Sequence, residues 1–157
     1  MEFSGKRQIP TMRQRVWDML NDPEVLKACL PGCQSLEGNT VDGFVASVKV
    51  GIGPVRATFG GSVQLVDLIP AKSYRIVGSG KGGAAGFASG EAMVLLEDSE
   101  DGTLLTYVAQ VKIGGKLVQL GSRLLQSTTA KLTDQFFTAF AANAAEQNQS
   151  EPVGTTP

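Results

Sequence analysis

From Ser35 to Ile113 polar and apolar residues alternate with a period of two. Turn signals interrupt the run at Glu37-Gly38-Asn39, Gly51 to Pro54, Pro70-Ala71-Lys72, Ser79 to Gly86 and Ser99 to Gly102. Such alternation between turn clusters predicts strands with one buried face, here a meander of about six. Phe44, Ala46, Val48, Val50 and Ile52 fall on one face of a strand, and Val55, Ala57, Phe59, Gly61, Val63 and Leu65 on one face of the next. Leu105, Tyr107, Ala109, Val111 and Ile113 repeat the pattern. Thr58, Ser62, Gln64, Thr106, Gln110 and Lys112 take the opposite, solvated side.

The flanks read differently. Residues 2–9 alternate as a first strand that stops at Pro10, which cannot donate to a ladder. Thr11 is positioned to cap a short helix carrying Val16, Trp17 and Leu20, and Asp22-Pro23 opens a second that ends at Pro31-Gly32. After Gly114-Gly115 the apolar residues return at helical spacing, from Leu117, Leu120, Leu124 and Leu125 to Leu132, Phe136, Phe137 and Phe140. That predicts a helix from 116 to about 147. The remainder, 148–157, is polar with two prolines and is expected to be a disordered tail after a single domain, 1–147.

Strand, two short helices, meander and long terminal helix in that order make an α+β helix-grip fold, a curved antiparallel sheet of about seven strands wrapped around the helix. The inward positions mix large residues with small ones: Ala46, Ala57, Gly61, Gly78, Ala88, Gly90, Ala92 and Ala109. Two readings follow. Either side chains do not fill the space between sheet and helix, leaving an apolar cavity, or the small residues serve curvature and close helix packing.

Composition narrows the chemistry. The 157 residues include no histidine, which removes the commonest general base and neutral metal ligand, so the chain is not expected to be an enzyme. Cys29 and Cys33 are the only cysteines, too few for a zinc site, and read as thiols packed beside a turn. A net charge of −1 argues against a nucleic-acid binder. The glycines at 78–83 open no helix through Gly-Lys-Ser/Thr and so make no nucleotide loop, and Glu91 reads as an exposed strand residue. With neither a signal peptide nor an 18-residue apolar span, a cytoplasmic location is expected.

In a meander alternate turns share an end of the sheet, which sorts them by chemistry. One end collects Glu37, Asp42, Asp67, Glu97, Asp98, Glu100 and Asp101, an acidic rim expected to be closed. The other collects glycines, apolar tips (Ile52, Val55, Phe87, Ile113, Val118) and bases (Lys81, Lys112, Lys116, Arg123). Glycine-rich loops open without strain, so this end is the candidate portal and a candidate contact for a membrane surface or a protein partner. Plain hairpin glycines with solubilising lysines remain the alternative.

Three motifs, GPVRATF at 53–59, GKGGAAGFASGEA at 80–92 and GGKLVQLGSRLL at 114–125, are followed by AKLTDQFF at 130–137. Together they strongly resemble the CoxG family, the G subunit of carbon monoxide dehydrogenase, in the START/Bet v 1-like helix-grip superfamily. The resemblance implies a non-catalytic accessory protein of a molybdenum carbon monoxide dehydrogenase, linked to its maturation or membrane recruitment. It also implies a cavity for a lipophilic small molecule, for which a respiratory quinone (menaquinone or ubiquinone), non-covalently bound, is the natural candidate. Facing periodicity then offers Tyr107, Thr128 or Gln135 to a quinone carbonyl and Val48, Phe59, Ile76, Leu120, Leu124 and Phe136 to its apolar parts. Peripheral contact with the inner face of the cell membrane fits the same picture. The competing expectation is a recruitment or assembly adaptor that works through its surface without a ligand.

Overall fold

The computed structural model describes the chain from residue 1 to 150, with side chains to 146. The first strand, β1 (Glu2–Ile9), leads through α1 (Arg13–Leu20) and α2 (Pro23–Cys29) into β2 (Cys33–Asn39), β3 (Gly43–Ile52), β4 (Val55–Ile69), β5 (Ser73–Lys81), β6 (Phe87–Ser99) and β7 (Gly102–Gly114). The chain then makes a 3₁₀ turn, Gly115–Leu120, before the long helix α3 (Ser122–Ser150). The tail expected from residue 148 lies, from 151 onward, outside the described residues.

All seven strands form one antiparallel sheet in the order β1-β7-β6-β5-β4-β3-β2. The meander is therefore as the alternation predicts, with β1 returning to pair the last strand, and the whole is a helix-grip fold. Asp22 caps α2 by accepting from the Glu24 amide at 2.9 Å, with Pro23 in the first turn where its missing N–H costs nothing.

Three local expectations are corrected. Met12, not Thr11, precedes α1, and it makes no side-chain cap. Thr11 is instead buried, its carbonyl accepting from the Thr103 hydroxyl at 2.7 Å. The terminal helix starts at Ser122 rather than 116, because Gly121 stands at φ +88°, ψ +151°, a conformation essentially reserved for glycine that interrupts helical hydrogen bonding. The convex face of the sheet is not uniformly polar either: Val77, Met93, Leu95 and Val108 are each more than 40% exposed there.

The densest core lies where α1, α2 and the C-terminal half of α3 meet the acidic end of the sheet. Ile9, Val16, Leu96, Leu105, Phe140 and Ala144 are almost wholly inaccessible, with Trp17, Met19 and Tyr74 among them. At the opposite end the buried hydrophobic residues among those described are Leu117 in the 3₁₀ turn, Ala85 in the Gly83–Ala85 turn, and Leu125.

Candidate ligand cavity

The register of the strands converts the one-dimensional alternation into rows across the concave face. Nearest the acidic end, Leu96 pairs with Leu105, and the next row runs Tyr74–Val94–Tyr107–Gly5. Then come Leu65–Ile76–Ala92–Ala109, Val63–Gly78–Gly90–Val111, and Ala46–Gly61–Gly80–Ala88. Large side chains thus give way to glycine and alanine in three successive rows at the middle of the sheet. Whereas Phe140 fills the space under the first rows, the glycines and alanines of the later ones leave space between sheet and helix.

A cavity of about 550 Å³ results. Its roof is the small-residue rows, its far wall Val48 and Phe59, and its floor Leu20, Tyr74, Val94 and Leu105. Leu26 of α2, Leu30 just after it, and Phe136 and Phe137 of α3 close the side opposite the sheet. The glycines differ in what they do. A Cβ on Gly90 would lie 2.3 Å from the Gln110 carbonyl oxygen, and one on Gly61 2.7 Å from that of Ser79, so these two let neighbouring strands approach as the sheet bends. A Cβ on Gly80 would meet nothing closer than 3.6 Å, so Gly80 is dispensable for the backbone and serves only to leave space.

The walls carry little polarity. Glu91, the one charged residue bordering the cavity among the described residues, is exposed and ion-paired with Arg75, which also holds Asp67 at 3.0 Å. Ser62, Ser79 and Ser89 border the cavity too, but they share one row between the glycine rows, at the outward positions of the alternation. The hydroxyls of Thr129 and Thr133 on α3 donate back to the Leu125 and Thr129 carbonyls at 2.8 Å. The bulk of Phe136 is held by Phe140 and Phe137, whose rings lie 5.6 and 5.1 Å away. Burial pushes the Cys29 thiol up from its ordinary pKa, so it is an inert neutral group.

Of the residues expected to contact a ligand, Val48, Phe59, Ile76 and Phe136 line the cavity. Tyr107, Leu120, Leu124, Thr128 and Gln135 do not. Gln135 is exposed, since one helical step of 100° turns it away from Phe136. Leu120 ends the 3₁₀ turn, and Leu124 covers Gly53 at the β3–β4 hairpin, so the late start of α3 takes both away from the cavity. Thr128 is half-buried higher on the same helix.

Tyr107 is withdrawn for a long-range reason. Gly5 opposite it on β1 offers no side chain, and the phenol lies over that glycine, 2.7 Å from where a Cβ would stand. The ring stacks on Phe137 at 5.6 Å beside Arg7, whose guanidinium sits 5.4 Å from the centre of the Phe137 ring and bonds Asp134 at 2.8 Å. The Asp134 carboxylate, and secondarily the Tyr107 phenol, raise the Arg7 pKa and hold its charge. Sequence reasoning passed over Tyr74, two residues before Ile76 on the same face, and that periodicity was the available signal.

The residues of the candidate portal gather at one end, as their turns require, but none lines the cavity. Lys81, Lys112, Lys116 and Arg123 are exposed, as are Phe87 and Val118, while Ile52, Val55 and Ile113 are half-buried. Gly86 lies so close to Gly114 and Gly115 that the two 3₁₀ turns abut. No helix among the described residues is long and apolar enough to cross a membrane.

A seven-stranded sheet gripping a terminal helix, with space left between them, defines the START/Bet v 1-like helix-grip class. Within it the chain belongs to the CoxG family, named for the G subunit of carbon monoxide dehydrogenase, which it matches over residues 5–145. A conserved protein from Geobacillus kaustophilus has a crystal structure similar to this one, with TM-score 0.86 at 29% identity, over 93% of this chain and 96% of that one. Protein Ms6760 from Mycobacterium smegmatis (TM-score 0.69, 12% identity, 93% and 92% covered) shares the fold. So does Ara h 8.0201 (0.63, 16%, 93% and 98%). No curated protein matches the sequence.

Proposed function

We propose that this chain is a non-catalytic accessory protein of a molybdenum carbon monoxide dehydrogenase. It holds a lipophilic molecule, a respiratory quinone, in the cavity between sheet and helix and helps link the dehydrogenase to the membrane. The observation that carries this reading is the cavity itself. Its volume of about 550 Å³ falls within the range of small-molecule sites, and its walls are apolar. Membership of a family named for a carbon monoxide dehydrogenase subunit supports that partner. Access is at the glycine-rich end, where glycines at positive φ (Gly83, Gly86, Gly115, Gly121) flank the two abutting 3₁₀ turns and exposed Phe87 and Val118 stand among lysines suited to anionic headgroups.

Protein purified without detergent and extracted into organic solvent is expected to release a lipophile detectable by mass spectrometry. Titration of stripped protein with menaquinone or ubiquinone analogues should quench Trp17, the only tryptophan, whose ring sits beside the cavity floor. Absence of both a co-purifying lipophile and Trp17 quenching would overturn the reading.

A second reading has one observation in its favour: the exposed basic residues at the glycine-rich end lie outside the cavity, so docking there needs no ligand. An adaptor of this kind keeps its hold on the dehydrogenase when Ala109→Trp fills the cavity. It loses that hold when Lys112, Lys116 and Arg123 are reversed in charge.

A further inference from the structure

Tyr74 stands where the filled rows of the sheet end and the bare rows begin. Its side chain lines the cavity floor, is only 3% exposed, and meets Trp17 edge-on at 5.4 Å between ring centroids. No fully buried side-chain oxygen or nitrogen among the described residues lacks a hydrogen-bond partner. The Tyr74 hydroxyl receives no hydrogen bond from the described residues and makes none to them. It is therefore not sealed into the core but faces the cavity that its ring borders. Desolvation raises its pKa well above that of an ordinary phenol, so the proton stays on the oxygen and the group remains a neutral donor. The hydroxyls of Thr129 and Thr133 on α3 are engaged with their own helix, and the Tyr107 phenol lies over Gly5.

We propose that Tyr74 is the specificity-determining residue of the cavity, donating a hydrogen bond to an uncharged oxygen acceptor, a carbonyl or ether, on the leading end of a lipophilic ligand. The ligand then lies head-inward, its polar end on the floor beside Trp17 and its hydrocarbon under the glycine and alanine rows. A carboxylate is disfavoured, because among the described residues no cation borders the cavity to offset its loss of water. This inference rests on the reading of the cavity as a ligand site.

The test compares two probes of similar shape: a short-chain quinone, and an alkylnaphthalene carrying the same chain but no oxygen. Each is titrated calorimetrically against wild-type protein, Tyr74→Phe and Tyr107→Phe. Tyr74→Phe should weaken the quinone about fivefold to tenfold, the loss of one hydrogen bond, and leave the hydrocarbon unchanged or slightly tighter. Tyr107→Phe should alter neither. In wild type the quinone should quench Trp17 strongly, as a head beside that ring requires. The Tyr74→Phe variant should melt no lower than wild type, since the lost hydroxyl has no partner among the described residues.

Equal weakening of both probes by Tyr74→Phe would mean a merely structural role and overturn the proposal, as would an unchanged quinone affinity. Loss of quinone preference in Tyr107→Phe alone would move the anchor to the other tyrosine and overturn it too. Failure of wild-type protein to bind either probe would remove the ligand site itself.

Discussion

The acidic end of the sheet and its middle are written in the same alternation on the same strands, yet one is solid and the other hollow. At the acidic end Leu96, Leu105, Ile9 and Phe140 interlock with α1 and α2, each at most 2% exposed. Three rows further along, Gly78 and Gly90 stand at equivalent inward positions, followed in the fourth by Gly61 and Gly80. Backbone pairing of β5 with β6 and of β6 with β7 continues unbroken through both regions. The difference shows that a helix-grip sheet determines where an internal space can exist, while side-chain volume at each row decides whether it does.

The contrast is most easily broken at the filled end. Phe140→Ala removes a fully buried ring that stacks on Phe136. It should cost about 3–5 kcal/mol of stability by urea denaturation. A cost below about 1 kcal/mol would mean that the packed end is as slack as the middle.

Two glycines sharpen the comparison within the hollow region. Gly90→Leu forces a Cβ against the Gln110 carbonyl and should cost roughly 1–3 kcal/mol as β6 and β7 shift apart. Gly80→Leu projects into open cavity instead and should change stability by less than about 1 kcal/mol while abolishing uptake of a lipophilic probe. Equal destabilisation by the two substitutions would refute the distinction between glycines that bend the sheet and the one that leaves space.

A smaller effect should appear with pH. Burial raises the Cys29 thiol above its ordinary 9.0 and the Tyr74 phenol above its ordinary 10.0, so both stay protonated in the native state when the unfolded chain begins to ionise. The unfolded state then binds fewer protons than the native one, and stability must fall as pH rises. The contribution is complete below about pH 9 and is lost progressively above it. The urea midpoint should therefore decline between about pH 9 and 11, and less so in a Cys29→Ala, Tyr74→Phe double variant. A midpoint that climbs over this range would contradict the assignment.

On the convex face, Arg75 with Asp67 and Glu91 marks the lower limit of the scale. These are exposed ion pairs at outward positions of their strands, and of the three residues only Glu91 also borders the cavity. Arg75→Gln should leave both the melting temperature and probe uptake indistinguishable from wild type. A loss of uptake would show that the sheet transmits changes from its outer face to its inner one.

Much of the fold was legible along the chain because period-two alternation and turn residues act locally. The six meander strands, the first strand ending before Pro10, and the Asp22-Pro23 helix start all follow from neighbours in sequence. The start of α3 was not legible in the same way. An isolated glycine in an apolar helical pattern is usually tolerated, and only the chain's path over the sheet end holds Gly121 at positive φ. The candidate site was legible in its apolar half, through Val48, Phe59, Ile76 and Phe136, and illegible in its polar half.

Sequence by itself determined which face of every strand is inward, and hence that small residues would collect beneath the helix. It placed Tyr107 on that inner face; the same period of two puts Tyr74 there as well, two residues before Ile76, but gives no reason to single it out. The tertiary structure alone decided between the two. On β1, 102 residues away in the chain, Gly5 clears a space into which the Tyr107 ring lies down beside Arg7. Tyr74 pairs with Val94 on a neighbouring strand that offers no such space, so its hydroxyl is left facing the cavity. Periodicity reports a side chain's direction from its own strand, whereas the place where it comes to rest depends on what the paired strands leave empty.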